Sequence, residues 1–289
     1  MMLKRVDRQP VSLVESDHGE HHHGMLGRLR VSVVIPALNE AENLQHVLPR
    51  IPHWVDEIIL VDGHSTDGTP DVAREICPDI RIVTQERKGK GEALRVGFKA
   101  ATGDIIVMLD ADGSTDPEEI PMFIGPLLAG ADFVKGSRFL QGGGTADMSM
   151  LRRAGNWFFT KIVRMLHGGR YTDLCYGYNA FWARVLPALQ LDGDGFEIET
   201  VMNVRALKAG LKVVEVPSFE QLRIHGESHL RTFPDGWRVL KAIRRETRSS
   251  RRKTAPVISM HLHTTENGAA EALPPPHYNI RPIERLESN

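Results

Sequence analysis

The stretch DIIVMLDADG, residues 104–113, decides the fold. Ile105 to Leu109 form an unbroken apolar run between two aspartates, short enough for a strand and too uniform for one with a wet face. Such a run predicts a parallel strand covered on both sides. It delivers Asp110 and Asp112 at its carboxyl end.

Upstream, VSVVIP (31–36) reads as a strand closed by proline, followed by a helical stretch from about Glu40 to Val47. EIILVD (57–62) is a second strand, with a turn and a helix near 70–76, and IRIVT (80–84) a third, with a helix over 89–101. Repeated strand-helix alternation predicts an α/β fold, a doubly wound and mostly parallel sheet with helices on both faces. Ligands in that architecture bind beyond the carboxyl ends of the strands. Asn39, Glu40, Asp62, Asp110 and Asp112 all fall there. Downstream, 131–139 contains a strand, 150–167 and 196–209 read as helices, 211–217 as a strand, and 235–247 as a basic amphipathic helix. This half is less regular than the first.

The chain has 289 residues, 41% of them hydrophobic, enough for one large domain with a full core. A net charge of -1 supplies no global field for nucleic acid. Cys77 and Cys175 lack the spacing of a disulfide framework or a zinc site, and fit a reducing cytoplasm. Polar residues 1–29, with His21, His22 and His23, read as a flexible arm, 30–250 as the working domain, and 251–289 as a disordered tail. No apolar run reaches the roughly 18 residues of a membrane span, and none resembles a signal peptide.

Two aspartates separated by one residue can face one hard cation when the segment is extended, leaving positions open for diphosphate oxygens. A capped turn competes with that reading, since Asp116-Pro117-Glu118-Glu119 is itself a helix start. Lys88 and Lys90, beside Gly89 and Gly91, open a helix whose free N–H groups favour anions. Glu197 and Glu199 lie two apart on a predicted helix, about 200° around its axis, so one of them can line a site. Glu197 is the expected one.

Taken in order, VSVVIPALNEAENL (31–44), EIILVDGHSTDGT (57–69) and RKGKGEALRVGFKAATGDIIVMLDADGSTDPEEI (87–120) resemble glycosyltransferase family 2. The likeness is greatest to polyprenyl-phosphate sugar synthases similar to dolichyl-phosphate mannose synthase, and covers about 31–247. It implies the GT-A fold, a Mg²⁺ or Mn²⁺ cofactor, and inverting transfer of a hexose from GDP-mannose or UDP-glucose. Matched by position, Pro36, Asn39, Glu40 and Asp62 meet the nucleoside. Lys88, Lys90, Asp110 and Ala111 meet the donor, and Asp110 and Asp112 hold the metal. Gly63 and His64 depart from the frequent VDDGS pattern.

The resemblance continues in GSRF (136–139), whose Arg138 corresponds to an arginine close to the donor diphosphate, a task suited to a planar guanidinium. Arg152 and Asn156 fall in a segment like the family's helix near the acceptor phosphate. TDLCYGYNAF (172–181) keeps Asp173 but has Asn179 where arginine is usual. GFEIE (195–199) corresponds to a segment with an acidic residue facing the acceptor, and Asp173 or Glu197 would serve as base toward a hydroxyl acceptor. RIHGESHL (223–230) retains Arg223 and Ser228, with His229 in place of lysine.

The implied acceptor is polyprenyl phosphate, with a soluble hydroxyl acceptor and a non-catalytic nucleotide-sugar-binding protein as rivals. Trp237, Leu240 and Ile243 among Arg238, Lys241, Arg244 and Arg245 suit an anionic cytoplasmic leaflet. An ordinary packed helix with a wet basic face competes with that reading. The expected location is cytoplasmic, peripheral at the inner face of the cell membrane.

Overall fold

A computed structural model describes residues 28–227 and 232–249. The expected arm as far as residue 27, the tail 251–289, Ser228 and His229 lie outside the described residues. The first half alternates as its pattern predicts: β1 (Val31–Ala37), α1 (Ala41–Val47), β2 (Glu57–Asp62), α2 (Thr69–Ile76), β3 (Arg81–Thr84), α3 (Lys90–Ala100) and β4 (Ile105–Met108). There follow α4 (Ile120–Leu128), β5 (Phe133–Ser137), β6 (Gly144–Thr145), α5 (Met150–His167), β7 (Asn179–Trp182) and α6 (Leu186–Leu189). The last elements are α7 (Ile198–Lys208), β8 (Val213–Pro217), β9 (Phe219–Glu220) and α8 (Thr232–Arg248).

Among the described residues the main sheet has seven strands in the order β3-β2-β1-β4-β7-β5-β8. All pair in parallel except β7, which runs antiparallel between β4 and β5. Every residue of β4 is buried, as the apolar run requires, and each of Ile105, Ile106 and Val107 contributes about 1.5–3 kcal/mol. One apolar cluster joins Val33, Ile35, Leu60, Val107, Phe123 and Tyr178. A second joins Val163 of α5, Leu174, Val204 of α7, and Val239 and Ile243 of α8.

Two strand ends differ from the sequence expectation. Pro36 lies inside β1, opposite Val61 of β2. The ladder to β4 has already ended at Val34 and Met108, so the missing N–H interrupts no pairing on that side. β4 stops at Met108, short of the predicted Asp110, because Ala111 and Asp112 form a turn. That turn is closed by the Asp112 carboxylate, which accepts the Ser114 amide at 3.0 Å and its hydroxyl at 2.7 Å.

Candidate functional site

The loops after β1 and β2 lock together. Asn39 takes a left-handed conformation, φ 56°, its N–H donating to Ser65 Oγ and its Oδ1 accepting the Thr66 amide at 2.8 Å. It joins two loops and caps no helix. Asp62, at the end of β2, is buried and accepts the amides of His64 and Ser65 at 3.2 and 3.1 Å. Glu40 is buried beside Asn43, and Arg223 donates to its carboxylate. Burial pushes the Glu40 carboxyl up, with Arg223 and Asn43 opposing.

Asp110 and Asp112 both line one cleft, with Ala111 buried between them. They reach it from a turn, and the extended segment expected at Asp112 is absent. The capped-turn reading and the cleft-facing reading therefore hold together. Lys90, at the start of α3, places its Nζ 2.7 Å from Asp110 Oδ1 and 2.7 Å from Glu199 Oε1. Burial opposes the Lys90 charge, but these carboxylates hold the ammonium above its ordinary value. Arg223 Nη1 lies 3.1 Å from Asp112 Oδ2. Lys88 is exposed and does not line the cleft.

The two glycines around Lys90 serve packing. A Cβ on Gly89, whose φ is +117°, would come within 2.1 Å of the Asp194 carbonyl oxygen. Gly91 N–H donates to that oxygen at 2.8 Å. At least one helix-start donor expected to be free for an anion is thus used within the protein.

Arg138 is committed to carboxylates. Its Nε and Nη2 donate to Asp173 at 2.7 and 2.9 Å, and its Nη1 to both Glu220 oxygens at 3.0 Å. Its Cζ lies 4.7 Å from the Tyr176 ring centroid. The expected fork toward a diphosphate is instead a fork toward Asp173. Asp173 is fully buried and is not among the cleft-lining residues, so it is no exposed base. Burial opposes its ionisation, yet the Arg138 guanidinium holds its carboxyl below the usual carboxylate range.

The choice between the two glutamates reverses. Helix α7 begins at Ile198, and Glu197 turns back to accept the Gly195 amide at 3.2 Å. Glu199 lines the cleft and binds Lys90. Burial and Asp110 push its carboxyl up against the opposing pull of Lys90. Asn179, expected at the acceptor, is buried within the sheet, donating to the Gly177 carbonyl at 3.2 Å. Its side-chain amide is engaged by that backbone carbonyl, and Asn179 is not among the cleft-lining residues. Sequence reading also passed over Tyr176, Gly177 and Glu220, which line the cleft. Only Gly177, in an otherwise aromatic run, signalled a close approach: a Cβ there would lie 2.8 Å from Glu199, 3.0 Å from Asp110 and 3.1 Å from Lys90.

The cleft encloses about 650 Å³. It is lined by the charged residues Lys90, Asp110, Asp112, Glu199 and Arg223, and by Leu151, Phe158 and Phe159 of α5 and Phe233, Trp237 and Leu240 of α8. Arg152 and Asn156 of α5 line it too. Asn156 Oδ1 accepts the amides of Leu174 and Cys175, while its Nδ2 is buried without a protein partner among the described residues.

Asp110, Asp112 and the Ser114 hydroxyl bring only oxygen donors to one side of the cleft, the donor type that Mg²⁺ and Mn²⁺ favour. No group of three or more His, Cys, Asp or Glu residues gathers around one point among the described residues. The set fits a cation that takes its remaining ligands from a bound diphosphate and water.

Residues 32–186 match the sequence profile described as Glycosyl transferase family 2. The undecaprenyl-phosphate mannosyltransferase of Micrococcus luteus is 34% identical over 216 residues, 70% of this chain and 88% of that protein. The polyprenol monophosphomannose synthase of Mycolicibacterium smegmatis is 33% identical over 201 residues, covering 65% and 76%. Among solved structures, glucosyl-3-phosphoglycerate synthase from Mycobacterium tuberculosis with Mn²⁺, uridine diphosphate and glucosyl-3-phosphoglycerate superposes with a TM-score of 0.61 at 25% identity. The match covers 76% of this chain and 80% of that one.

Proposed function

The chain belongs to glycosyl transferase family 2, and we propose that it moves a hexose from a nucleotide diphosphate sugar, GDP-mannose or UDP-glucose, to polyprenyl phosphate with inversion. The observation that carries this reading is a single cleft lined both by a set of charged side chains and by aromatic residues of α5 and α8. The charged set suits a diphosphate and the aromatic residues a prenyl chain. The names of the two polyprenyl relatives support the same acceptor.

Asp110 and Asp112 would hold Mg²⁺ or Mn²⁺, with Ser114 beside them. Such a cation supplies charge neutralisation for a departing nucleotide diphosphate. Lys90 and Arg223 face the same carboxylates and would bind donor phosphates. Asn39 and Asp62 fix the paired loops beside which the nucleoside would lie, with Pro36 and the buried Glu40 in the same chain segment as Asn39. Arg138 orients Asp173 and Glu220 and shapes the floor through Tyr176.

A phosphate acceptor is ionised at neutral pH and needs no base. That suits a site whose carboxylates are engaged: Asp173 with Arg138, Glu199 with Lys90. Arg152 and Asn156 would meet that phosphate at the start of α5. Ser228 and His229 keep their proposed part in acceptor binding from sequence alone. The exposed aromatic and basic residues of α5 and α8 would rest on an anionic membrane surface. No helix among the described residues is long and apolar enough to cross a membrane.

A soluble phosphorylated acceptor is the second reading, favoured by the likeness to glucosyl-3-phosphoglycerate synthase. Incubation with radiolabelled nucleotide sugar, Mn²⁺ and a polyprenyl phosphate extract separates the two. Label in the organic phase supports the lipid acceptor, and label confined to water rejects it.

A further inference from the structure

Between Tyr171 and Tyr178 the chain crosses the cleft floor without helix or strand, yet side chains bind its backbone almost residue by residue. Glu215 accepts the amides of Thr172 and Asp173 at 2.8 and 3.2 Å, and Asn156 those of Leu174 and Cys175, both at 3.1 Å. Asn203 donates to the Leu174 carbonyl at 2.9 Å. Lys135 Nζ donates to the Tyr176 carbonyl at 2.7 Å, and Asn179 to the Gly177 carbonyl at 3.2 Å. Lys135 is opposite Asn179 on one side and Glu215 on the other, so three of these anchors stand in one row on one sheet face.

Lys135 is the cationic anchor of that row and is fully buried in β5. A buried ammonium is expensive unless paired. Asp173, Glu199 and Glu215 act on it electrostatically, with Arg138 opposing, while burial pulls its ammonium below the ordinary lysine range. The peptide it holds leads directly into Gly177, the residue whose missing side chain makes room for Glu199, Asp110 and Lys90.

We propose that Lys135 is a positioning residue for sugar transfer: by holding the Tyr176 carbonyl it fixes the Tyr176–Gly177 peptide against the Lys90, Asp110 and Glu199 cluster. Its effect on turnover rests on the reading of the cleft given above, whereas its hold on the floor does not.

Lys135→Met in the full chain tests both parts. Hydrogen exchange of peptides covering 172–178 is expected to quicken by about tenfold or more, with the remainder of the sheet as protected as in the wild type. In the radiolabel assay kcat should fall about tenfold or more, while KM for the nucleotide sugar changes by less than about threefold. Combined with Gly177→Ala, the loss in kcat should be less than the product of the two single losses, because both act on one peptide. Wild-type exchange over 172–178 in a folded variant overturns the proposal. So does faster exchange spread over the whole sheet, or a kcat equal to that of the wild type. If the wild type transfers no sugar, the functional reading fails, and the exchange measurement still decides whether Lys135 holds the floor. Should Lys135→Met not fold, Lys135→Gln, with a donor on a shorter stem, carries the same outcomes.

Discussion

The Arg223 guanidinium lies 3.1 Å from the Asp112 carboxylate, across 111 positions of sequence, and also bonds Glu40. The segment around it is fixed to the same turn, since Ile224 N–H donates to the Asp112 carbonyl and Gln221 N–H to that of Ser114. Asp112 therefore joins the turn after β4 to the loop after β9. Asp112→Asn keeps the shape and the turn but removes the charge. It is expected to lower kcat/KM by about 100-fold or more and to abolish stimulation by Mn²⁺. Arg223→Met should cost about 10- to 100-fold while leaving the requirement for Mn²⁺. Steady-state kinetics across a Mn²⁺ titration check both, and an Asp112→Asn variant with wild-type kcat/KM would remove the metal role assigned to this pair.

The two glutamates of GFEIE should separate cleanly. Glu199 binds Lys90 at 2.7 Å within the cleft, whereas Glu197 closes a local turn onto Gly195. Glu199→Gln leaves Lys90 with one carboxylate partner and is expected to reduce kcat by about 100-fold. Glu197→Gln should change it by less than about threefold. Parallel assays of the two variants decide the matter, and equal losses would contradict the assignment.

Why the two glutamates could be told apart but not assigned follows from the kind of information each step needed. Period and apolar runs are local, so β1 to β4 and the helix Met150–His167 could be read from the chain. The helical period set Glu197 and Glu199 on different faces, although α7 begins only at Ile198 and Glu197 lies in the turn before it. Which of them faced inward depended on where α7 lies against α3, a relation no window of sequence contains. Asn179 failed for the same reason. NAFW is too short to announce a strand, and its antiparallel place between β4 and β5 is set by tertiary pairing. Arg138 lines the cleft, but its bonds to Asp173 and Glu220 join residues 35 and 82 positions away.

The Arg138–Asp173 pair makes a prediction about pH. Asp173 is fully buried, and its folded-state carboxyl is held below the usual range. A carboxyl depressed on folding binds fewer protons in the native than in the unfolded state, so it stabilises above its unfolded pKa of about 4. That contribution is lost as pH falls through the lower, native value. The wild type should lose stability below about pH 4, and Asp173→Asn should flatten this acid limb while lowering stability at pH 7. Arg138→Met, which strands a buried carboxylate, should cost about 3–5 kcal/mol at neutral pH. Urea unfolding at a series of pH values measures all three, and an unchanged acid limb in Asp173→Asn would show that other groups govern it.

The aromatic residues of α5 and α8 that line the cleft continue onto an outer surface. Trp157 and Trp237 are 62% and 59% exposed, and Phe158 and Phe233 are exposed beside them. Lys161 lies 5.5 Å from the Trp157 ring centroid and Lys241 5.7 Å from that of Trp237, so each indole carries a cation at its face. Exposed indoles with adjacent ammonium groups suit the boundary between headgroups and acyl chains. The full chain should sediment with phosphatidylglycerol vesicles at low salt and be released as salt rises, because the attraction to anionic headgroups is screened. Trp157→Ala and Trp237→Ala should each weaken vesicle binding by about tenfold, since apolar area is lost from the contact. The variants should still bind nucleotide diphosphate with Mn²⁺, a measurement that separates lost membrane contact from a damaged cleft. Sedimentation equal to that of neutral phosphatidylcholine vesicles, or indifference to both substitutions, would reject a membrane contact through these residues.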